Sequence, residues 1–462
     1  SASGEISSWV FNGLLKYDKH GKIIADLAEN FYFEDNLTLI VKLKKNITWH
    51  DGQAFNADDV LFTFETLRSP DIFTPYTSGF RNVDKVIKIN DYTLKITHTK
   101  PYFKALETWM MGIIPKHLLE NEKDLMTATF NQHPIGTGSY KIDGFEVSKD
   151  IFLEANPSYF EHRANIQTLN YHYVQDPSTE FLMLKGTQLD LGSLTPMQIE
   201  RQITPKFKQF YNIIEQPSRS YTYLGFNLER PPFDNPKVRE AISLAIDRQE
   251  LVDILFFGHG KVCHGPFLEG AVGFNKNITS PKHDINKSQA ILKSLGYDKK
   301  NPLKFTIKTN SNNPTRKYAV EVLQHQLRQA GIEVTINLME WQAFLNRAVH
   351  AKDFDAIVLG WALSFMPDPY SIWHSDNNKK GGYNFIGYHN PKVDQLITQS
   401  ETMIDRDTLD TTFQEIYKLI VQDNPYLFLY IPNSITVVNK NITPIEPTLL
   451  GIMHNQIDWI KP

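Results

Sequence analysis

The segment ITWHDGQAFNADDVLFTFE, residues 47–65, places His50, Asp51, Asp58 and Asp59 within ten positions. An imidazole and three carboxylates could ligate a divalent cation and activate a bound water, the chemistry of a metal-dependent hydrolase. That use needs His50 and Asp51 to act together with one more ligand from elsewhere in the chain. The flanking pattern gives each group a structural job instead. LTLIVKLKKNITW (37–49) alternates Leu39, Val41 and Leu43 with polar neighbours, the period of a strand. If that strand persists, His50 and Asp51 point to opposite sides. Asp51-Gly52 is a turn signal, Asn56 is a helix N-cap, and Asp58 and Asp59 fall in the first helical turn, where carboxylates face the positive end of the helix dipole. Val60, Phe64 and Leu67 then recur at i, i+4 and i+7 as the buried face of that helix.

Two other constellations invite chemistry. GHGKVCHG (258–265) groups His259, Cys263 and His264, a soft donor set whose glycines and position after a helix read as a surface loop. Gly136-Thr-Gly138 lacks the third glycine and the strand-to-helix context of a dinucleotide fingerprint. The chain contains no G-x-S-x-G, H-E-x-x-H, G-x-x-x-x-G-K-[ST] or C-x-x-C. An enzyme is therefore not expected, and a metal-dependent hydrolase built on His50 and Asp51 is the remote alternative.

The elements that must position any site come in two styles. Segments 84–100 and 134–160 read as short antiparallel strands and a meander. Further on the pattern changes. Residues 233–256, with Asn235 as cap and Pro236 at the first helical position, read as one helix. Residues 303–310, 316–331 and 332–340 read as strand, helix and strand, a βαβ unit. A short strand is expected at 353–361, two helices broken near Asp405 at 391–423, and a strongly β-prone stretch at 426–439. With 462 residues, two or more domains are expected.

The net charge of −4 and the absence of long Lys/Arg blocks leave no footprint for a nucleic acid. Cys263 is the only cysteine, which excludes an intramolecular disulfide. No apolar run of 18 residues is present, and the first residues, SASGEISSWVFNGLLKYD, lack the charged and apolar regions of a signal peptide, as a processed start also would. Aromatic residues make up 12%, which suits either a ring-lined ligand site or a large core.

The order of AENFYFEDNLTLIVKLKKNITWHDGQAFNADDVLFTFE (28–65), PIGTGSYK, ANPSYF, FNLERPPFDNPKVREAISLAIDRQELV, ILKSLGY, YHNPKVDQLI and DNPYLFLY resembles the extracytoplasmic solute-binding proteins of the peptide and nickel ABC importers, from about Leu15 to the C-terminus. The resemblance implies an α/β, two-lobed periplasmic-binding-protein fold (type II, cluster C-like) with mixed sheets. Its first lobe would span 1–224, with an extra β-rich subdomain at about 32–155. The second α/β lobe would span 225–435, and 436–462 would return to the first. The chain would cross between lobes near 220–228 and 429–438, a hinge that closes on the ligand. Family members usually carry a first strand and loop before the point corresponding to Ser1, about twenty residues by the length of such a unit.

The resemblance also implies a cleft and a ligand. Peptide binders of the family set an acidic residue shortly after a "GW" to hold the ligand's amine; here Leu363 and Ser364 stand in that region, and Asp368 follows between Pro367 and Pro369. His454 and His374 are the histidines that could complete a nickel chelate, nickel favouring N and O donors. For each, a packing or surface role is the alternative. Trp361, Trp373, Trp109 and Tyr383 are expected either as cleft walls or as ordinary core. The expected ligand is a nickel chelate, such as nickel with histidine, ahead of a short peptide. Nickel would be cargo, with no intrinsic cofactor. The expected partner is a membrane permease, and the expected state a periplasmic or otherwise extracytoplasmic monomer.

Overall fold

The computed structural model describes residues 2–69, 72, 75–125, 127–145, 150–379 and 381–462. One long strand, Tyr426–Asn439, joins its two halves. The beginning of this strand pairs with Ser220–Phe226, and Tyr430 to Pro432 pair with Gly260–Val262. From Asn433 onward it pairs with Tyr211–Pro217 and then also with Leu191–Ser193. The β-branched and aromatic residues of YLFLYIPNSITVVN suit a strand buried on both faces. Its side chains enter different cores accordingly. Leu427, Leu429 and Tyr430 pack with Phe226, Ile242 and Leu323, whereas Ile435 and Val437 pack with Phe181, Leu184 and Tyr211.

In the second lobe, Ser220–Phe226 runs antiparallel to Ala356–Ala362, which is followed in the sheet by the parallel strands Lys304–Asn310 and Glu333–Met339. Helix Pro314–Gln329 makes the crossover between the latter two. It starts on the Asn313 cap and stops before Gly331, whose φ of +84° suits glycine. The expected βαβ unit is thus present. Helices Pro391–Ser400 and Arg406–Asp423 are separated where Asp405 caps the second. The single helix expected at 233–256 is instead two, Pro236–Leu244 and Arg248–Phe256. Asp247 turns its carboxylate onto the backbone N–H groups of Gln249 and Glu250 and starts a new helix, a competing bond that periodicity does not register.

The first lobe carries a four-stranded antiparallel sheet in the order Ala28–Asp35, Thr38–Leu43, Thr93–His98, Val83–Asn90. Helix Ala57–Arg68 packs on it, its Val60 and Phe64 sharing a core with Trp49 and Trp109. The strand expected to reach residue 49 ends at Leu43, and Thr48 makes only an isolated bridge to Ala54. The meander consists of Tyr140–Phe145, Asp150–Ala155 and Thr168–His172, with 146–149 outside the described residues. Met453 and Ile457, near the C-terminus, pack beside Ile6, Trp9 and Tyr140.

Candidate functional site

The acidic segment resolves into architecture. Asn56 and Asp59 form a reciprocal capping box at the start of Ala57–Arg68. Asp58 pairs with Lys88 Nζ at 2.8 Å, and Asp51 accepts hydrogen bonds from the Gln53 N–H and from His117 Nε2 at 2.7 Å. The Gly136 N–H donates to His50 Nδ1 at 3.1 Å, which leaves the proton on Nε2 to be donated to the Gly138 carbonyl at 3.0 Å. Both ring nitrogens are occupied, and burial holds the imidazole below its ordinary pKa. The clamped loop lies so close to helix Ala2–Val10 that a Cβ on Gly136 would sit 1.7 Å from the Val10 carbonyl oxygen. Among the described residues no group of three or more His, Cys, Asp or Glu could hold a metal ion.

A cavity of about 1180 Å³ opens between the lobes. First-lobe residues Phe11, Tyr102, Lys104 and Glu107 line one side, and Ser364, Asp368, Tyr370 and Glu401 line the other. Cross-lobe contacts bound it. Arg406 Nη2 meets Glu107 Oε1 at 2.6 Å, Lys100 meets Glu401 at 2.9 Å, and the Phe103 N–H donates to the Glu401 carbonyl. Phe103 itself is buried among second-lobe residues such as Phe413. Tyr17 packs on Phe365 at 5.0 Å, and the Arg219 guanidinium lies 5.1 Å from the centre of the same ring.

Two charged groups in the cavity are only partly engaged. Glu107 is 11% exposed and accepts from Arg406 and, at 3.4 Å, from the Tyr17 hydroxyl through Oε1, while Oε2 has no hydrogen-bond partner. Lys104 has its Nζ 5.4 Å from the Phe103 ring. Burial lowers its pKa, and the charges of Asp368 and Glu107 partly restore it. Sequence reading missed both residues. The available signal was Lys104 and Glu107 standing alone in the apolar stretch PYFKALETWMMGII, the second at the start of the short turn Glu107–Met110.

Of the residues singled out in the sequence, Ser364 and Asp368 line the cavity. Ser364 Oγ donates to the Met366 carbonyl. Asp368 caps helix Pro369–Trp373, accepting from the Tyr370 N–H and the Ser371 hydroxyl. Trp109 and Trp373 are 0% and 1% exposed and belong to the cores, Trp109 against Phe64 and Phe80, Trp373 against Tyr388 and Tyr426. Large flat rings fill interiors as readily as they line clefts, and these two fill interiors. Trp361 is half-buried with the exposed Tyr383 edge-on at 5.6 Å, and neither lines this cavity.

His374 is buried, accepts from the Asp376 N–H at Nδ1 and donates from Nε2 to Thr398 Oγ1 at 3.1 Å, so neither nitrogen is available to a metal in this arrangement. His454 lies in the turn Met453–Asp458, its Nε2 3.7 Å from Glu446 and its Nδ1 without a hydrogen-bond partner. It is not among the cavity's lining side chains, which include neither histidine nor cysteine among the described residues. Cys263 is not on a surface loop as expected: it is buried, its Sγ donates to the Gly265 carbonyl, and burial pushes the thiol up to about 12.

A two-lobed α/β shell around a cavity that offers charge and rings defines a binding protein, and the comparisons agree. Residues 22–383 match the family described as "Bacterial extracellular solute-binding proteins, family 5 Middle", and the chain belongs to this family. It is 32% identical to the oligopeptide-binding protein AppA of Bacillus subtilis, over 96% of this chain and 84% of that one. The structure of B. subtilis AppA in complex with a nonapeptide superposes with a TM-score of 0.80 at 30% identity, covering 100% of this chain and 95% of AppA. NikZ from Campylobacter jejuni in complex with Ni(L-His) superposes at 0.82 with 27% identity, covering 98% and 94%. No helix among the described residues is long and apolar enough to cross a membrane.

Proposed function

We propose that this chain is the extracytoplasmic ligand-capturing component of an ABC importer, without catalysis of its own, and that its ligand is a short peptide. The observation that carries the peptide reading is the pair Lys104 and Glu107 in the interlobe cavity. The ammonium can take the peptide's carboxylate, and the carboxylates of Glu107 and Asp368, which also line the cavity, can take its amine. Phe11, Tyr102 and Tyr370 offer apolar and ring surface to side chains. At about 1180 Å³ the cavity exceeds the roughly 300–1,000 Å³ of ordinary small-molecule sites, more room than one compact chelate needs. We place the peptide ahead of nickel, reversing the order expected from sequence, because the lining holds no histidine among the described residues.

Capture would proceed by hinge bending where the chain passes Ser218 and Arg219 and where Tyr426–Asn439 changes partners near Pro432, dividing lobes close to 1–224 and 225–435 with 436–462 returning to the first. The ligand would then pass to a membrane permease. A nickel chelate is the second reading, supported by the unpartnered Nδ1 of His454 and by the likeness to NikZ. Isothermal titration of metal-free protein with pools of two- to nine-residue peptides, with Ni²⁺, and with Ni²⁺ plus excess L-histidine separates the readings. Heat with peptides alone is expected. Binding only when nickel and histidine are both present, lost in His454→Ala, would establish the chelate instead.

A further inference from the structure

His259 neither lines the cavity nor belongs to a core. It follows helix Arg248–Phe256 and immediately precedes strand Gly260–Val262, both second-lobe elements. Its ring reaches the first lobe in two places. Nδ1 lies 3.0 Å from Glu215, on strand Tyr211–Pro217, and Nε2 lies 3.1 Å from Glu200, on helix Pro196–Gln202. Asn433, in the crossing strand, donates its side-chain amide to the same Glu215 carboxylate, and its N–H donates to the His259 carbonyl.

A carboxylate can only accept, so an imidazole with a carboxylate at each nitrogen satisfies both contacts only when both nitrogens carry protons. A neutral ring would turn one lone pair toward an anion. The other charges around the ring do not compete: Arg201, on the Glu200 helix, lies over the Phe257 ring at 5.3 Å, Lys261 pairs with Glu269 at 3.1 Å, and Asp253 accepts from Gln249. We propose that His259, held between Glu215 and Glu200, is a proton-dependent clasp that fastens the two lobes in the arrangement seen here and loosens it as pH rises. The carboxylates raise the pKa of His259 against the opposing effect of partial burial. With a raised folded value, the contribution is complete below the histidine reference of about 6.5 and is lost as pH climbs through the raised value.

The proposal rests on the hinge reading but not on the identity of the ligand. It can be tested on the full chain without ligand. Nitrogen-detected spectra of ¹⁵N-histidine-labelled protein at about pH 6 are expected to show Nδ1 and Nε2 of His259 both protonated, and Glu215→Gln to lower its titration midpoint. Spin labels at Lys42→Cys and Lys299→Cys, both exposed and on different lobes, report the interlobe distance, the native Cys263 being buried. Between about pH 6 and pH 9 the ratio of open to closed populations is expected to rise about tenfold in this background and to stay flat in His259→Gln or in Glu215→Gln. A single protonated nitrogen at about pH 6, or identical pH profiles in all three proteins, overturns the clasp. Failure of the hinge reading itself looks different: the distance then stays fixed on adding a binding peptide as well.

Discussion

Arg406 and Glu107 are 299 positions apart and meet at 2.6 Å, Glu107 being a residue that lines the cavity. One stands at the start of helix Arg406–Asp423 in the second lobe, the other in the turn Glu107–Met110 of the first. In an opened molecule both would be solvated, so removing one charge acts on closure more than on folding. Arg406 is 35% exposed, which tempers the effect of leaving Glu107 without it. Arg406→Met is expected to cost the closed form about 1–2 kcal/mol, roughly tenfold in population, with little change in the thermal midpoint. Interlobe distances and a melting curve measure the two separately. A lowered midpoint with unchanged distances would assign the pair to stability instead.

The capping box at Asn56 predicts an unequal pair of losses. Asn56→Ala removes one cap and is expected to cost about 1 kcal/mol. Asp59 does more, since its carboxylate accepts from the Asn56 N–H at 3.1 Å, the Lys116 N–H at 3.0 Å and Trp49 Nε1 at 3.4 Å. Asp59→Ala strands these donors in a buried setting and is expected to cost about 3 kcal/mol. Urea unfolding of the two variants checks the ratio, and equal losses would mean that the long-range bonds contribute nothing.

This contrast also marks what was legible in the sequence. Whereas the bond that Asp59 accepts from Lys116, 57 positions on, does not follow from spacing, Asn56, Val60, Phe64 and Leu67 are fixed by neighbours within one or two turns, and their roles do. The strand Tyr426–Asn439 announced itself in the same way. His374 did not, because the groups that occupy its ring nitrogens include Thr398, 24 positions on. Trp109 and Trp373 were ambiguous because residue type does not say which side of an element faces a core. Lys104 and Glu107 escaped notice because their meaning depends on second-lobe residues such as Asp368 and Arg406, brought near only by the tertiary fold.

Lys104 tests the peptide reading directly. If its ammonium holds the ligand's terminal carboxylate, a bound peptide should lose affinity when that terminus is amidated, and Lys104→Met should lose the same affinity for the free acid. The expected loss is about 10–100-fold in Kd, the range of a charged hydrogen bond left unmade. The amidated peptide should bind the variant and the parent alike. Equal affinity of Lys104→Met for both peptides, with the parent also indifferent to amidation, would place the carboxylate elsewhere.

Acid stability separates the core histidines from the hinge. His50, His98 and His264 all have pKa values lowered by burial. His98 donates from Nδ1 to the Leu37 carbonyl, and His264 accepts from the Ser280 N–H. In the unfolded chain each takes up a proton near pH 6.5, which the folded protein resists, so the unfolded state binds more protons in the window just below that value. Unfolding free energy must therefore fall as pH drops through about 6.5, the reverse of the sign expected for His259. Urea titrations at about pH 7.5 and pH 5.5 are expected to show this loss, smaller in His50→Gln, whose amide can both accept from Gly136 and donate to Gly138. A His50→Gln variant with the full acid loss would show that other groups carry the dependence; one with a steeper loss would mean that His50 is charged in the fold.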